Sequence, residues 1–274
     1  MPDVIHRYLL KCKTNPNPPG LADFLRGTIA LYQYAKQYNY ILKFDMASHP
    51  IFKMLDIPEL NRAYLDHSQD TIELIPPIPY SVMPHLLDTL FTSMKSFPIL
   101  TNAFYRETSN MTDEYNFIKS ILKPSSILNT YIEQSKINTG LDYSKPYAII
   151  HVRDGDHNFE INHEMDNKLV EKVRNYIQII QSQSTIQTLF ISDSHKLKQK
   201  VSDICKITQS IPIHIGTLTS LDSENINTQL LTTLGEFFIM SGASNIYCLN
   251  HWDGSGYSRI CAKIFSIDYY PFKL

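Results

Sequence analysis

Residues 147 to 156 read Tyr-Ala-Ile-Ile-His-Val-Arg-Asp-Gly-Asp, an apolar run that ends abruptly in one cation, one glycine and two carboxylates. Behind the Lys145-Pro146 breaker, Ile149, Ile150 and Val152 give this run the character of a buried strand in an α/β sheet. Open α/β sheets collect ligands at the carboxyl ends of their strands. Arg153 therefore stands where a permanently charged fork can clamp a phosphate, and Gly155 lets the backbone turn sharply or approach a ligand closely. An ordinary strand end with a surface Arg-Asp pair has the same decapeptide. On that stretch alone the two readings weigh equally.

The sequence around it decides between them. After residue 145 strands and helices alternate: a strand at 147–152, a helix near 166–183, a strand at 187–191 ending in Ser192-Asp193-Ser194, and a helix over about 195–205. A short strand at 211–215 stops at Gly216-Thr217. A helix at 227–241, a strand at 245–249 and a last helix at 256–266 complete the series. Successive βα units of this kind predict a doubly wound parallel sheet, by default a nucleotide-binding architecture. In such a sheet the strand ends share one edge, so His151, Arg153, Asp154, Asp156, Ser192, Asp193 and the cluster Asn250 to Ser258 converge on one crevice. That last cluster opens a helix with Gly254, Ser255, Gly256, Tyr257 and Ser258, the chemistry of a diphosphate cradle. A Gly-Ser-Gly tripeptide is also common in N-capping turns, so it is weak evidence by itself.

Upstream, Asn15-Pro16-Asn17-Pro18-Pro19-Gly20 must be a loop, and Leu21, Phe24, Leu25, Ile29, Tyr32 and Ala35 then fall at helical spacing up to about residue 40. Gly20 and Asp23 lie at this loop-to-helix junction, where free backbone N–H groups bind anions. Ile41 to Phe44 reads as a short strand with Asp45 at its end. Between 50 and 130 only helices are expected, around 83–96 and 113–134, among Pro-rich turns such as Pro76-Pro77-Ile78-Pro79. A boundary near Gly140 to Pro146 divides the chain into 1–144 and 145–274.

A length of 274 residues suits one large α/β domain or two moderate ones, and 43% hydrophobic with 19% charged residues marks a globular chain. With 25 basic and 27 acidic residues, no global field favours nucleic acid or an anionic membrane. Cys12, Cys205, Cys248 and Cys261 form no C-x-x-C pair, which argues against a zinc site or a disulfide scaffold and for a reducing compartment. The charged start Met1-Pro2-Asp3-Val4-Ile5-His6-Arg7 is unlike a signal peptide, and no apolar run reaches the roughly 18 residues of a membrane span. A cytoplasmic location without a membrane span is the expectation.

The order of the blocks resembles the α1,2-, α1,6- and protein O-fucosyltransferase superfamily, which includes the nodulation fucosyltransferases. Its Gly-Leu-Gly-Asn-Arg signature, followed by a helix and a strand ending in Asp, is similar to Gly20-Leu21-Ala22-Asp23-Phe24 leading to Leu42-Lys43-Phe44-Asp45. Its His-x-Arg-Arg-x-Asp motif matches His151, Arg153 and Asp156; its Ser/Thr-Asp-Asp strand end matches Ser192-Asp193. Its last block matches Glu236-Phe237-Phe238 and Gly254 to Ser258. Two positions depart from the pattern: Asp154 replaces the second Arg, and Asp23 stands where relatives carry Asn. The 50–140 stretch has no counterpart.

The resemblance implies a GT-B type α/β fold of two Rossmann-like halves facing across a cleft, a nucleotide-sugar held by the carboxy-terminal half, and no obligatory metal. It implies an inverting transfer, with L-fucose from GDP-fucose as donor and a glycan hydroxyl as acceptor. Arg153 would then stabilise the departing diphosphate, supplemented by Arg26, Arg259 or a Lys in place of the second Arg. Asp23 and Asp154 are the favoured bases for the acceptor's proton, with Asp45, Asp156, His151 and His157 as further candidates. Gly20, His151, Asp156, Ser192, Asp193, Glu236, Ser255, Gly256, Tyr257 and Ser258 are the candidate donor-binding residues. Against each stands a plainer role: a satisfied structural imidazole for His151, a turn for Asp193, a solvent-facing carboxylate for Glu236, core packing for Tyr257. Nothing in the sequence reads guanine over uracil, so a UDP-sugar donor such as UDP-xylose competes, as does a nucleotide-sugar or glycan-binding protein without catalysis. No Gly-x-Gly-x-x-Gly after a first strand and no Walker loop is present, which ranks nicotinamide and ATP enzymes low.

Overall fold

A computed structural model describes the whole chain except residues 15–18, 66–69, 154–165, 210–222 and 251–253. Its contacts gather into two compact units, one of Met1–Ser125 with Ile215–Asn227 and the other of Ser126–His214 with Thr228–Leu274.

The first unit holds strands β1 (Asp3–His6), β2 (Ile41–Asp45), β3 (Arg62–Ala63), β4 (Ile72–Leu74) and β5 (Phe97–Thr101), with helices α1 (Leu21–Tyr38), α2 (Met83–Thr92) and α3 (Thr112–Ile121). All strands run parallel in the order β3-β2-β1-β5-β4. Helix α1 starts one residue after Gly20, as the loop-to-helix reading expects, and buries Leu21, Phe24, Leu25, Ile29 and Leu31. Gly27 lets it come very close to the end of β5: a Cβ there would sit 1.9 Å from the Thr101 carbonyl oxygen.

Expectations for residues 50–130 need correction. The helix read over 113–134 is broken at Pro124, which cannot continue a helix, so α3 ends at Ile121 and a separate helix α4 (Ser126–Thr139) follows. Helix α2 stops at Thr92, short of 96, and three strands, β3, β4 and β5, stand where only helices were expected.

The second unit holds α4, β6 (Tyr147–Val152), α5 (Asn167–Gln183), β7 (Gln187–Ser192), α6 (His195–Val201), β8 (Lys206–Ile207), α7 (Ser223–Ser241) from Thr228 onward, β9 (Asn245–Asn250), α8 (Gly256–Phe265) and β10 (Asp268–Lys273). Its parallel order is β10-β9-β6-β7-β8. Every residue of β6 is buried because the strand is central. On one face Ile150, Val152, Phe190 and Leu249 pack against Val170, Val173, Ile177 and Ile180 of α5, the i, i+3, i+7, i+10 stripe of an amphipathic helix. Helix α4 joins this unit through close packing on α7, where a Cβ on Gly235 would lie 2.6 Å from the Tyr131 ring and the Tyr131 and Thr232 hydroxyls are 3.1 Å apart.

Helix α6 is shorter than the 195–205 reading, and strand β10 has no counterpart in the sequence reading. The strand expected at 211–215, with Gly216-Thr217, lies outside the described residues. All four cysteines are unpaired. Among the described residues no helix is long and apolar enough to cross a membrane.

Candidate functional site

In the second sheet the chain moves outward from β6 through β7 to β8, then returns to the other side of β6 with β9 and β10. The direction of winding reverses between β6 and β9, and the crevice at such a reversal is where open α/β sheets bind ligands. Arg153 follows directly on β6, half-buried, and the turn into α8 follows on β9. Strand and helix are tied together two residues before Arg153: His151 Nδ1 lies 3.0 Å from Ser258 Oγ. Burial, with the charges of Arg153 and Lys198, lowers the His151 pKa to about 3. The imidazole is therefore neutral at physiological pH, and both it and Ser258 are buried.

The start of α8 is shaped by one glycine. Gly254 has φ of +102°, a backbone region that L side chains rarely adopt, and a Cβ there would meet Tyr269 Oη at 2.5 Å. Ser255 is the N-cap residue; its N–H donates to Cys248 Sγ at 3.3 Å, and its buried Oγ has no hydrogen-bond partner among the described residues. Gly256 is exposed as the first helical residue, ahead of N–H groups that no helix can satisfy internally at its first turn. Tyr257 packs away from this opening: its hydroxyl donates to the Thr233 carbonyl and its ring lies 5.5 Å from that of Phe237.

At the end of β7, Ser192 is fully buried and its Oγ accepts from the Ser194 N–H at 3.1 Å, while Asp193 is half-buried beside it. Glu236 does not face water. It is 1% exposed, accepts from Lys198 Nζ at 2.9 Å and from Thr208 Oγ1 at 2.6 Å, and so joins α6, the segment after β8, and α7. Lys198 and Thr208 belong to this site region and were not candidates from sequence. Asp154 and Asp156 lie outside the described residues.

Removing Lys198 strands a buried carboxylate, which typically costs about 3 kcal/mol or more. Lys198→Ala should lower the urea midpoint accordingly with an unchanged slope, and Lys198→Met with Glu236→Leu should restore most of the loss. A single variant as stable as the parent would refute this account of the pair.

In the first unit the winding reverses between β1 and β5. Gly20 caps α1 there with an extended backbone and no side-chain hydrogen bond, and Asp23 sits in the first turn, 3.0 Å from Arg26 Nη2. Asp45, a further base candidate, is fully buried and held by Arg7 Nε at 2.7 Å and the Ala47 N–H at 2.9 Å. It is committed to structure. Among the described residues no cluster of three His, Cys, Asp or Glu side chains is placed to hold a metal ion.

Two parallel five-stranded sheets with flanking helices, the second in the 3-2-1-4-5 order of nucleotide-binding folds, define a GT-B type α/β protein. No protein-family model matches the sequence. No curated protein matches it either. Solved structures do. The fucosyltransferase NodZ from Bradyrhizobium is 15% identical with a TM-score of 0.60, the match covering 95% of this chain and 91% of that one. NodZ α1,6-fucosyltransferase co-crystallised with GDP gives 14%, 0.60 and the same coverage. An Arabidopsis thaliana FUT1 variant in complex with GDP gives 10% and 0.62, over 100% of this chain and 70% of that one. At these identities the likeness is one of fold, and the fold is that of GT-B fucosyltransferases.

Proposed function

We propose that the chain is an inverting glycosyltransferase that moves L-fucose from GDP-fucose to a hydroxyl of a glycan. The observation that carries this reading is the placement of Arg153 at the winding reversal of the second sheet, with the opening of α8 at the end of the adjacent strand. A guanidinium and a first helical turn of N–H groups are the two features that meet a diphosphate. Ser255 Oγ, buried and without a partner among the described residues, adds a donor suited to a phosphate oxygen.

In this reading the acceptor oxygen attacks the anomeric carbon from the face opposite the diphosphate. The bond between that carbon and the diphosphate oxygen breaks, its electron pair departs with the diphosphate, and the acceptor's proton passes to a carboxylate base, for which Asp154, next to Arg153 in sequence, is the candidate within the second unit. Arg153 acts where negative charge accumulates, and that is where a fixed cation lowers a barrier most. The neutral imidazole of His151 and the Ser258 hydroxyl serve as the frame that fixes the end of β6 to the start of α8.

Thermal shift with GDP and with UDP, followed by transfer or hydrolysis of labelled GDP-fucose, tests the proposal. A midpoint raised by GDP well beyond the rise with UDP, with release of labelled fucose, is expected. A response to UDP alone would transfer the assignment to a UDP-sugar enzyme, and binding without any turnover would make the chain a non-catalytic binding protein.

A further inference from the structure

The winding reversal of the first sheet, between β1 and β5, carries its own constellation, and no nucleotide chemistry is in it. Gly27 seats α1 against the Thr101 carbonyl, which brings Arg26 to the residue just after β5: Arg26 Nε donates to the Asn102 carbonyl at 3.0 Å. The guanidinium lies 4.2 Å from the Phe104 ring and 5.5 Å from the Tyr80 ring, and those rings meet edge to face at 4.8 Å. Asn102 Nδ2 donates to Tyr80 Oη at 3.1 Å. Contacts from Arg26 and Asn102 thus hold two aromatic rings in place, yet Phe104 remains 58% and Tyr80 39% exposed.

Fixed aromatic surface in water calls for an apolar partner. A second observation says what else that partner carries: Asn102 is 4% exposed, and its buried Oδ1 has no hydrogen-bond donor among the described residues. Asp23 and Arg26 pair at 3.0 Å, so together they offer no net charge to an anion. The complementary ligand is neutral, has one apolar face, and bears hydroxyl donors at its rim. A pyranose ring has all three properties.

We propose that this edge of the first unit binds a sugar ring of a glycan, stacked on Phe104 and Tyr80, with hydroxyls directed to the Asp23 carboxylate and the Asn102 amide. That this sugar is the acceptor rests on the glycosyl-transfer reading; that the edge binds a sugar does not. Arg26 is a positioning residue here, aligning Phe104 and Asp23 through the contacts above.

Ligand-observed saturation-transfer NMR with methyl β-D-glucopyranoside, methyl β-D-galactopyranoside and N-acetylglucosamine provides the test, with no nucleotide present. At least one sugar should receive saturation, strongest on ring C–H protons, and Phe104→Ala should weaken it on the order of tenfold. Phe104→Tyr, which keeps the ring, should preserve it and serves as the control for folding. The thermal response of Phe104→Ala to GDP should equal that of the parent. Three outcomes overturn the proposal: no saturation of any of the three sugars by the parent, equal binding by Phe104→Ala, or loss of the GDP response in that variant. If the parent ignores GDP and UDP yet binds a sugar through Phe104, the transferase reading fails and the sugar site stands.

Discussion

Arg153→Ala is expected to leave the second unit folded while lowering turnover of the nucleotide-sugar about a hundredfold or more, the usual cost of deleting one transition-state donor. Folding should survive because the register of β6 with β7 and β9 is made by residues 147–152, and Arg153 comes after it. The loss should fall mainly on kcat, since the diphosphate gains negative charge only as its bond to the sugar breaks. Arg153→Lys should rescue poorly, because a point charge cannot reproduce a bidentate fork. Lys198 offers no substitute: its ammonium is buried and engaged by Glu236 and Thr208. With Asp154 in place of a second Arg, the burden on Arg153 is greater. A folded alanine variant with near-parental turnover would remove Arg153 from the clamp.

How much of this was legible depended on what buries each segment. Strand β6 announced itself because a central strand is covered on both faces and reads as an unbroken apolar run. Strand β1 is only four residues long, and β5 contains Pro98, which argues against a strand inside a sheet. Strand β10 lies at the sheet edge with mostly exposed residues and includes Pro271. Each therefore lacks the pattern that betrays a strand. At the site the same logic holds. The strand end before Arg153 and the helix start at Gly256 were readable because both are local features. Lys198 sits between Lys196 and Lys200 and resembles a solvated helix face; its burial is decided by Glu236, 38 residues away. Asn102 gains its meaning from α1 and Tyr80, and Phe104 from Arg26. Such pairings exist only once the sheet brings distant segments together.

Acid should destabilise both units before any carboxylate is lost, and the first unit more. His6 and His49 in the first unit and His151 in the second each have a pKa lowered by burial from 6.5 to about 3. His6 is stacked on Phe24 at 4.2 Å with Thr28 Oγ1 at 3.0 Å from its Nδ1, and His49 is stacked on Tyr8 at 4.4 Å and accepts from the Ile51 N–H. A folded pKa below the unfolded value means that the unfolded chain binds more protons between the two, so stability declines as pH falls through that window. Between pH 7 and pH 5 the loss is about 2 kcal/mol per histidine, hence about twice as much in the first unit as in the second. Carboxylates enter later: burial raises the Glu73 pKa, but the Lys13 and Thr14 N–H groups and the Thr14 hydroxyl outweigh it and hold the group low. Hydrogen exchange resolved by peptide, run from pH 7 to pH 5 with correction for the intrinsic rate, separates the two units. His49→Gln should halve the slope in the first unit and leave the second unchanged. Level protection in both units across this range would mean that these imidazoles already accept protons in the folded state, which their burial forbids.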